Sequence, residues 1–295
     1  MCGIVGLFAK DAGIAAELGG HLAAMLAVMG DRGPDSAGFA VYGAAAAGQV
    51  KLTLRGPPGH DVAALVAQIA PGAALARRAS HAVLSVPEAD EAAVRAALAR
   101  LAPELVVVGA GRRMELYKAV GLPADVAREF GLGGMAGSHG IGHTRMATES
   151  AVTTDGAHPY STGPDQCLVH NGSLSNHNAV RRELARHGLR CLTENDTEVA
   201  ALYLTQRLRE GLPLEVALRR ALADLDGFYT FVVGTETGFA VLRDPIACKP
   251  AVMAETDRYV AFGSEYRALV DLPGIAGARV WEPEPGVVYA WERPQ

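Results

Sequence analysis

Met1-Cys2-Gly3-Ile4-Val5-Gly6-Leu7-Phe8-Ala9 is the stretch on which the fold turns. Ile4–Ala9 is apolar and β-prone, which predicts a buried strand starting almost at the first residue. Initiator Met is usually removed when the second residue is small, as Cys2 is. The new terminus would then hold a thiol and an α-amino group on one residue. An α-amine titrates near about 7.7–8.0, so it is a usable general base near neutral pH without a distant histidine. Standing alone, Cys-Gly after Met reads more readily as a chance small residue or a buried thiol.

Outward from this strand, Leu18, Leu22, Met25, Leu26 and Met29 recur at helical spacing, and Gly30 ends the helix. Asp31-Arg32-Gly33-Pro34-Asp35-Ser36 predicts a tight loop, and Phe39–Tyr42 a strand. From Lys51 the texture changes. Leu52–Leu54, Ala82–Val86 and Leu105–Val108 predict strands, and Asp61–Ile69 and Glu88–Leu101 predict helices. We read residues 51–136 as a small α/β insertion within a domain covering 1–295, closed by the Gly-rich run Gly131–Gly137. Gly140–Arg145 and Gln166–His170 then predict strands, and Asn178–Arg186 a helix stopped by Gly188. Asn195 and Glu198 are spaced as a capping box at the start of a helix over Thr197–Glu210. Val216–Leu225 predicts a further helix, and the remainder is strand-rich. Strand and helix do not alternate regularly enough for a doubly wound fold. The order suits an α+β protein of two stacked antiparallel sheets flanked by helices.

Bulk properties narrow the function. The chain has 49% hydrophobic and 20% charged residues, which reads as globular. A net charge of −5 without a dense Lys/Arg cluster argues against a broad grip on nucleic acid. Four cysteines in 295 residues make no disulfide framework, which favours a reducing, cytoplasmic setting. The sequence predicts no signal peptide and no membrane span; Leu18–Gly30 is uncharged but too short and Gly-broken. Gly131-x-Gly133-x-x-Ala136 matches a relaxed dinucleotide fingerprint but leads into a strand, not a helix. Cys167-x-x-His170 with His177 lacks the second cysteine pair of a zinc site.

An ordered set of motifs follows the first strand. Arg32-Gly33-Pro34-Asp35-Ser36 is succeeded by Gly142-His143-Thr144-Arg145-Met146-Ala147-Thr148, His158-Pro159 and His170-Asn171-Gly172. Asn195-Asp196-Thr197-Glu198, Arg243-Asp244-Pro245 with Lys249-Pro250, and Ser264-Glu265 complete it. In this order the set resembles the class II, N-terminal-nucleophile glutamine amidotransferases over nearly the whole chain apart from the insertion. The resemblance implies a four-layer αββα N-terminal-nucleophile hydrolase sandwich. It implies Cys2 as nucleophile, with its own amine as base. Asn171, through its side chain, and Gly172, through its backbone N–H, would form the oxyanion hole. Arg145 would take the α-carboxylate of L-glutamine and Asp196 its α-ammonium, with Thr148 and His158 beside the same pocket. Arg32 and Asp35 would shape the loop next to Cys2. Each residue alone has a plainer reading: Asn-Gly as a turn, Arg145 as a surface residue, Asp196 as a helix cap.

No metal or organic cofactor is needed for this chemistry. The chain ends shortly after the glutaminase motifs, so the expected ammonia acceptor is a separate synthase subunit in a hetero-oligomer. Arg113-Met114-Glu115-Leu116-Tyr117-Lys118, Gly121-Leu122-Pro123 and the following Gly142–Met146 resemble stand-alone subunits of glutamate synthase-like systems, including N-methylglutamate synthase. That resemblance implies a partner carrying FMN and iron–sulfur clusters, and we expect the insertion to contribute to the subunit interface. Met146, where sugar-directed relatives often carry Trp, points away from the glucosamine branch. Two rival classes are an N-terminal-nucleophile hydrolase of another amide and a non-catalytic scaffold subunit.

Overall fold

The structure is a computed structural model and describes residues 1–57, 60–147 and 151–293. The chain opens with β1 (Gly3–Ala9), α1 (Ala12–Ala16), α2 (Leu18–Val28) and β2 (Ser36–Tyr42). Next come β3 (Gln49–Arg55), α3 (Val62–Ile69), β4 (Ala74–Arg78), β5 (His81–Pro87), α4 (Glu91–Leu101) and β6 (Val106–Gly111). The middle holds β7 (Met114–Val120), α5 (Pro123–Glu129), β8 (His139–Arg145), β9 (Tyr160–Gly163) and β10 (Gln166–Leu174). Three helices follow: α6 (His177–Arg186), α7 (Asp196–Arg209) and α8 (Leu214–Asp224). The end is β11 (Gly227–Gly234), β12 (Gly238–Arg243), β13 (Val252–Glu255), β14 (Tyr259–Gly263), β15 (Arg279–Trp281) and β16 (Val288–Glu292).

Two antiparallel sheets form the body. One is ordered β15-β13-β14-β1-β8-β2-β7 and the other β16-β12-β11-β10-β9. The period-2 alternation of each strand assigns its two faces. Ile4, Phe8, Ile141 and Phe262 of the first sheet meet Cys167, Val169, Val232 and Val241 of the second in one buried cluster. The intervening residues of β1, Val5 and Leu7, pack outward against Leu22, Leu26 and Met29 of the α2 segment and Phe130 after α5. Leu168, Phe231 and Leu242 of the second sheet pack outward against Val199, Leu202 and Leu218 of α7 and α8. The result is the four-layer αββα arrangement of an N-terminal-nucleophile hydrolase.

A third sheet, β4-β5-β3-β6, stands apart from both. Leu52, Leu84 and Val86 close its own small core against Val66, Val94 and Leu98 of α3 and α4. This sheet ends at Gly111, short of the boundary at 136 expected from sequence. Met114–Val120 instead pairs residue by residue with β2, from Tyr42↔Met114 to Ser36↔Val120, and so belongs to the large sheet. The physical reason is burial on both faces: Met114 and Leu116 join the inter-sheet core while Tyr117 joins the helix-side core.

Candidate active site

Cys2 stands at the head of β1 and is fixed through its backbone. Its carbonyl accepts from Arg32 Nε at 3.0 Å and from Asn171 Nδ2 at 3.1 Å. Gly3 N–H donates to Thr144 Oγ1 at 3.2 Å, and Ile4 N–H to Ser264 Oγ at 2.9 Å. A Cβ at Gly3 would come within 2.9 Å of both Met29 Cβ and Thr144 Oγ1, so the residue after the cysteine must be small. Arg32 is buried and ion-paired to Glu265, which also binds Arg267 Nε at 2.6 Å. The hydrogen bond from Arg32, with Arg267 beside it, holds the Glu265 carboxyl below its ordinary range. Asp35 Oδ2 accepts from Ala147 N–H at 2.8 Å. Arg32 and Asp35 thus brace the two segments on either side of Cys2.

β10 brings the next pair. Cys167 and Val169 face the inter-sheet core, so Asn171, two residues on, faces the same way and reaches Cys2. Gly172 follows at φ +147°, and a Cβ there would lie 2.0 Å from Phe228 O. Only glycine fits there.

Cys2 and Gly172 open onto a cavity of about 460 Å³ also lined by Arg145, His158, His170, Asp196 and Lys249. Arg145 ends β8, is buried, and donates from Nη1 to Ala151 O at 3.3 Å. Asp196 opens α7. Its Oδ2 accepts from Leu174 N–H at 2.9 Å, and its Oδ1 lies 3.6 Å from His170 Nδ1. Burial alone would raise its pKa; His170 and the Leu174 N–H outweigh that and hold the carboxyl down at about 2. Asp196 is therefore an anion at neutral pH in the lining of the cavity. His158 also lines the cavity, and burial pushes its pKa well below the ordinary histidine value. Thr148 lies outside the described residues. Met1 is exposed, with its ammonium 3.1 Å from Met146 Sδ.

The expected capping box is only half present. Asn195 Oδ1 accepts from Thr197 N–H at 2.9 Å, as a cap should. Glu198 does not return the bond; its carboxylate takes the N–H groups of Leu192 and Thr193, each at 2.7 Å. Glu198 thereby ties the loop before α7 to the helix that carries Asp196.

Sequence reading gave no role to several residues found here. Thr197 and His170, in the cavity wall, form a buried polar cluster with His143 behind them. Lys118 is buried with Nζ donating to Ala157 O at 2.8 Å and Pro159 O at 3.5 Å, on either side of His158, and to Asp155 O at 3.1 Å, and burial pushes it down to about 8. Phe228 lines the cavity under Lys249, whose Nζ lies 5.0 Å from the ring centroid. His143, His170, Thr197 and Lys249 lie inside motifs legible in the sequence; Phe228 carried no signal. Among the described residues no group of three or more His, Cys, Asp or Glu side chains is placed to hold a metal ion. Among them also, no helix is long and apolar enough to cross a membrane.

Residues 143–271 match a family model described as a glutamine amidotransferase domain. The fold is similar to glutamine phosphoribosylpyrophosphate amidotransferase from B. subtilis, with a TM-score of 0.61 at 20% identity, over 99% of this chain and 47% of that one. The glutamine amidotransferase-like protein GlxB of Rhizobium meliloti (strain 1021) is 61% identical, over 99% of this chain and 98% of that protein. The chain belongs to the class II glutamine amidotransferases. Within the family it is also similar to the glutamine–fructose-6-phosphate aminotransferase (isomerizing) of Streptococcus mutans serotype c. There the identity is 35% over 131 residues, 44% of this chain and 21% of that enzyme. The class II amidotransferase described here thus corresponds to a fraction of that longer protein and to nearly all of the Rhizobium one.

Proposed function

We propose that this amidotransferase hydrolyses L-glutamine through a γ-glutamyl thioester on Cys2 and supplies the ammonia to a separate synthase subunit. The observation that carries this reading is the shared cavity: Cys2 and Gly172 open onto the same space as Arg145 and Asp196. A guanidinium and a carboxylate complement an α-amino acid head group, while the thiol and a backbone N–H complement its side-chain amide.

Removal of exposed Met1 turns the Cys2 nitrogen into a free amine. That amine takes the thiol proton, and Sγ attacks Cδ of glutamine. The carboxamide oxygen becomes an oxyanion held by Asn171 Nδ2 and Gly172 N–H. The amine returns its proton to the departing nitrogen as the C–N bond breaks, which releases ammonia and leaves the thioester. Water, deprotonated by the same amine, attacks the thioester carbon; the C–S bond breaks, and glutamate and the thiol are restored. Each oxyanion donor contributes on the order of 10²–10³ in rate.

The acceptor of the ammonia is proposed to be a glutamate synthase-like or N-methylglutamate synthase partner. Any FMN and iron–sulfur clusters would belong to that partner. The four cysteines are free, which supports a reducing, cytoplasmic setting. The insertion, expected over 51–136 and in the fold the β3–β6 sheet with its two helices, is proposed to contribute to the subunit interface; deletion of that unit up to Gly111 with full retention of partner binding would contradict that. Glutamate release measured with L-glutamine, and with simple acyl amides lacking the α-amino acid head group, tests the function. Turnover of glutamine alone, lost in Arg145→Ala, is expected; equal turnover of the acyl amides would move the chain to hydrolysis of another amide.

A further inference from the structure

In and behind the cavity wall four side chains from three strands and loops and one helix meet without water-exposed charge. Thr197, on α7, is buried, and its single hydroxyl touches two imidazoles. Oγ1 lies 2.7 Å from His158 Nε2 and 3.0 Å from His170 Nδ1. His143, on β8, stacks on His158 with ring centroids 4.0 Å apart, and its Nε2 lies 3.0 Å from His170 O. His170 in turn sets Nδ1 3.6 Å from Asp196 Oδ1.

The proton inventory of this cluster has one best solution. A carbonyl only accepts, so His143 carries its proton on Nε2. A hydroxyl donates one hydrogen, so Thr197 donates to one imidazole and accepts from the other. Asp196 accepts and cannot donate as an anion, which favours the proton on His170 Nδ1. His170 then donates to Thr197, and Thr197 donates to His158 Nε2. Either direction leaves one buried N–H unpaired among the described residues, His158 Nδ1–H here or His170 Nε2–H in the reverse, so the Asp196 carboxylate beside His170 Nδ1 decides between them.

We propose that Thr197 is a positioning residue: its hydroxyl fixes the orientation and tautomer of both His158 and His170, and through His170 the orientation of the Asp196 carboxylate that receives the substrate. The assignment rests on the glutamine reading of the cavity for its kinetic consequence. Its structural consequence is independent of substrate. Valine is isosteric with threonine but offers no hydroxyl; serine keeps the hydroxyl and loses only a methyl.

The test uses the full chain as wild type, Thr197→Val and Thr197→Ser. Two quantities are read: KM and kcat for L-glutamine, and the imidazole ¹⁵N shifts of His158 and His170. The wild type is expected to show His170 protonated at Nδ1 and His158 at Nδ1. Thr197→Val is expected to raise KM at least 10-fold with a smaller change in kcat and to move both imidazole signals. Thr197→Ser is expected to stay within 3-fold of wild type with its signals in place. A wild type with either histidine protonated at Nε2 overturns the proposal, even where the valine variant does not fold. Serine kinetics as poor as valine kinetics overturn it too, since that is the mark of a packing role. If the wild type turns over no glutamine, the functional reading fails, and the ¹⁵N shifts still decide the hydroxyl's role.

Discussion

The catalytic body and the four-stranded insertion are both well packed, but they bury different things. Between Gln49 and Gly111 the buried polar side chains, among the described residues, are Thr53 and His81. The body buries many more, some away from the cavity such as His139, Asp165, Gln166 and Arg243, and a group of them, Arg145, His158, His170 and Thr197, lines one cavity. Buried polar groups cost free energy unless they are paired. Where such a group faces open space, the fold gives up stability for chemistry. The insertion carries no such signature. Its Leu52, Leu84 and Val86 build an apolar core whose work is cohesion.

Four substitutions break or sharpen this contrast. Cys2→Ala removes the proposed nucleophile and should lower glutamine hydrolysis by about 10⁴-fold or more. Its melting temperature should stay near wild type, because Cys2 is only partly buried. Gly172→Ala keeps the backbone N–H but forces it out of place, and should cost about 10²–10³ in kcat through the displaced oxyanion donor. It should also destabilise by about 1–3 kcal/mol, because the new Cβ collides with Phe228 O at 2.0 Å. Activity and chemical denaturation measured together check both parts.

Asp196→Asn should raise KM for glutamine by about 10–100-fold, the loss of one charged hydrogen-bonding partner. It also has a pH consequence. The Asp196 carboxyl is held down at about 2 in the folded protein, below its ordinary 3.8. It therefore contributes stability that is present above about pH 4 and is lost as pH falls toward 2. Thermal melts over that window should fall more steeply for wild type than for the asparagine variant; parallel curves would remove the argument. Leu84→Ala is the control from the other region. Leu84 is fully buried, so the loss should be about 2–5 kcal/mol of stability. Turnover per folded molecule should change less than 2-fold. A large fall in kcat there would mean the two regions are not separate in function.

Much of this division was legible from residues alone. Ile4–Ala9 and the Leu18–Met29 pattern predicted β1 and α2, because strand and helix periods are written in apolar spacing. Arg145, Asn171, Gly172 and Asp196 were singled out by a family resemblance carried by an ordered set of short motifs, and the fold brings them together around Cys2. β7 was not legible as part of the body. Lys118 in its middle breaks the apolar pattern, and its ammonium finds the Ala157 carbonyl only in the folded chain. Glu198 matched a local capping pattern, yet the Leu192 and Thr193 N–H groups took its carboxylate. The Thr197 cluster joins residues 143, 158, 170 and 197. No periodicity connects positions so far apart, so their meeting is a property of the two-sheet topology.

The central claim is that a processed Cys2 is the nucleophile of a glutamine pocket. Intact mass after incubation with 6-diazo-5-oxo-norleucine, a glutamine-like alkylating agent, tests it most directly, with Cys2→Ala alongside. The account predicts loss of Met1 and a single adduct on the wild type, absent from the alanine variant. A chain that keeps Met1 and takes no adduct, alone and with the proposed synthase partner, would contradict it.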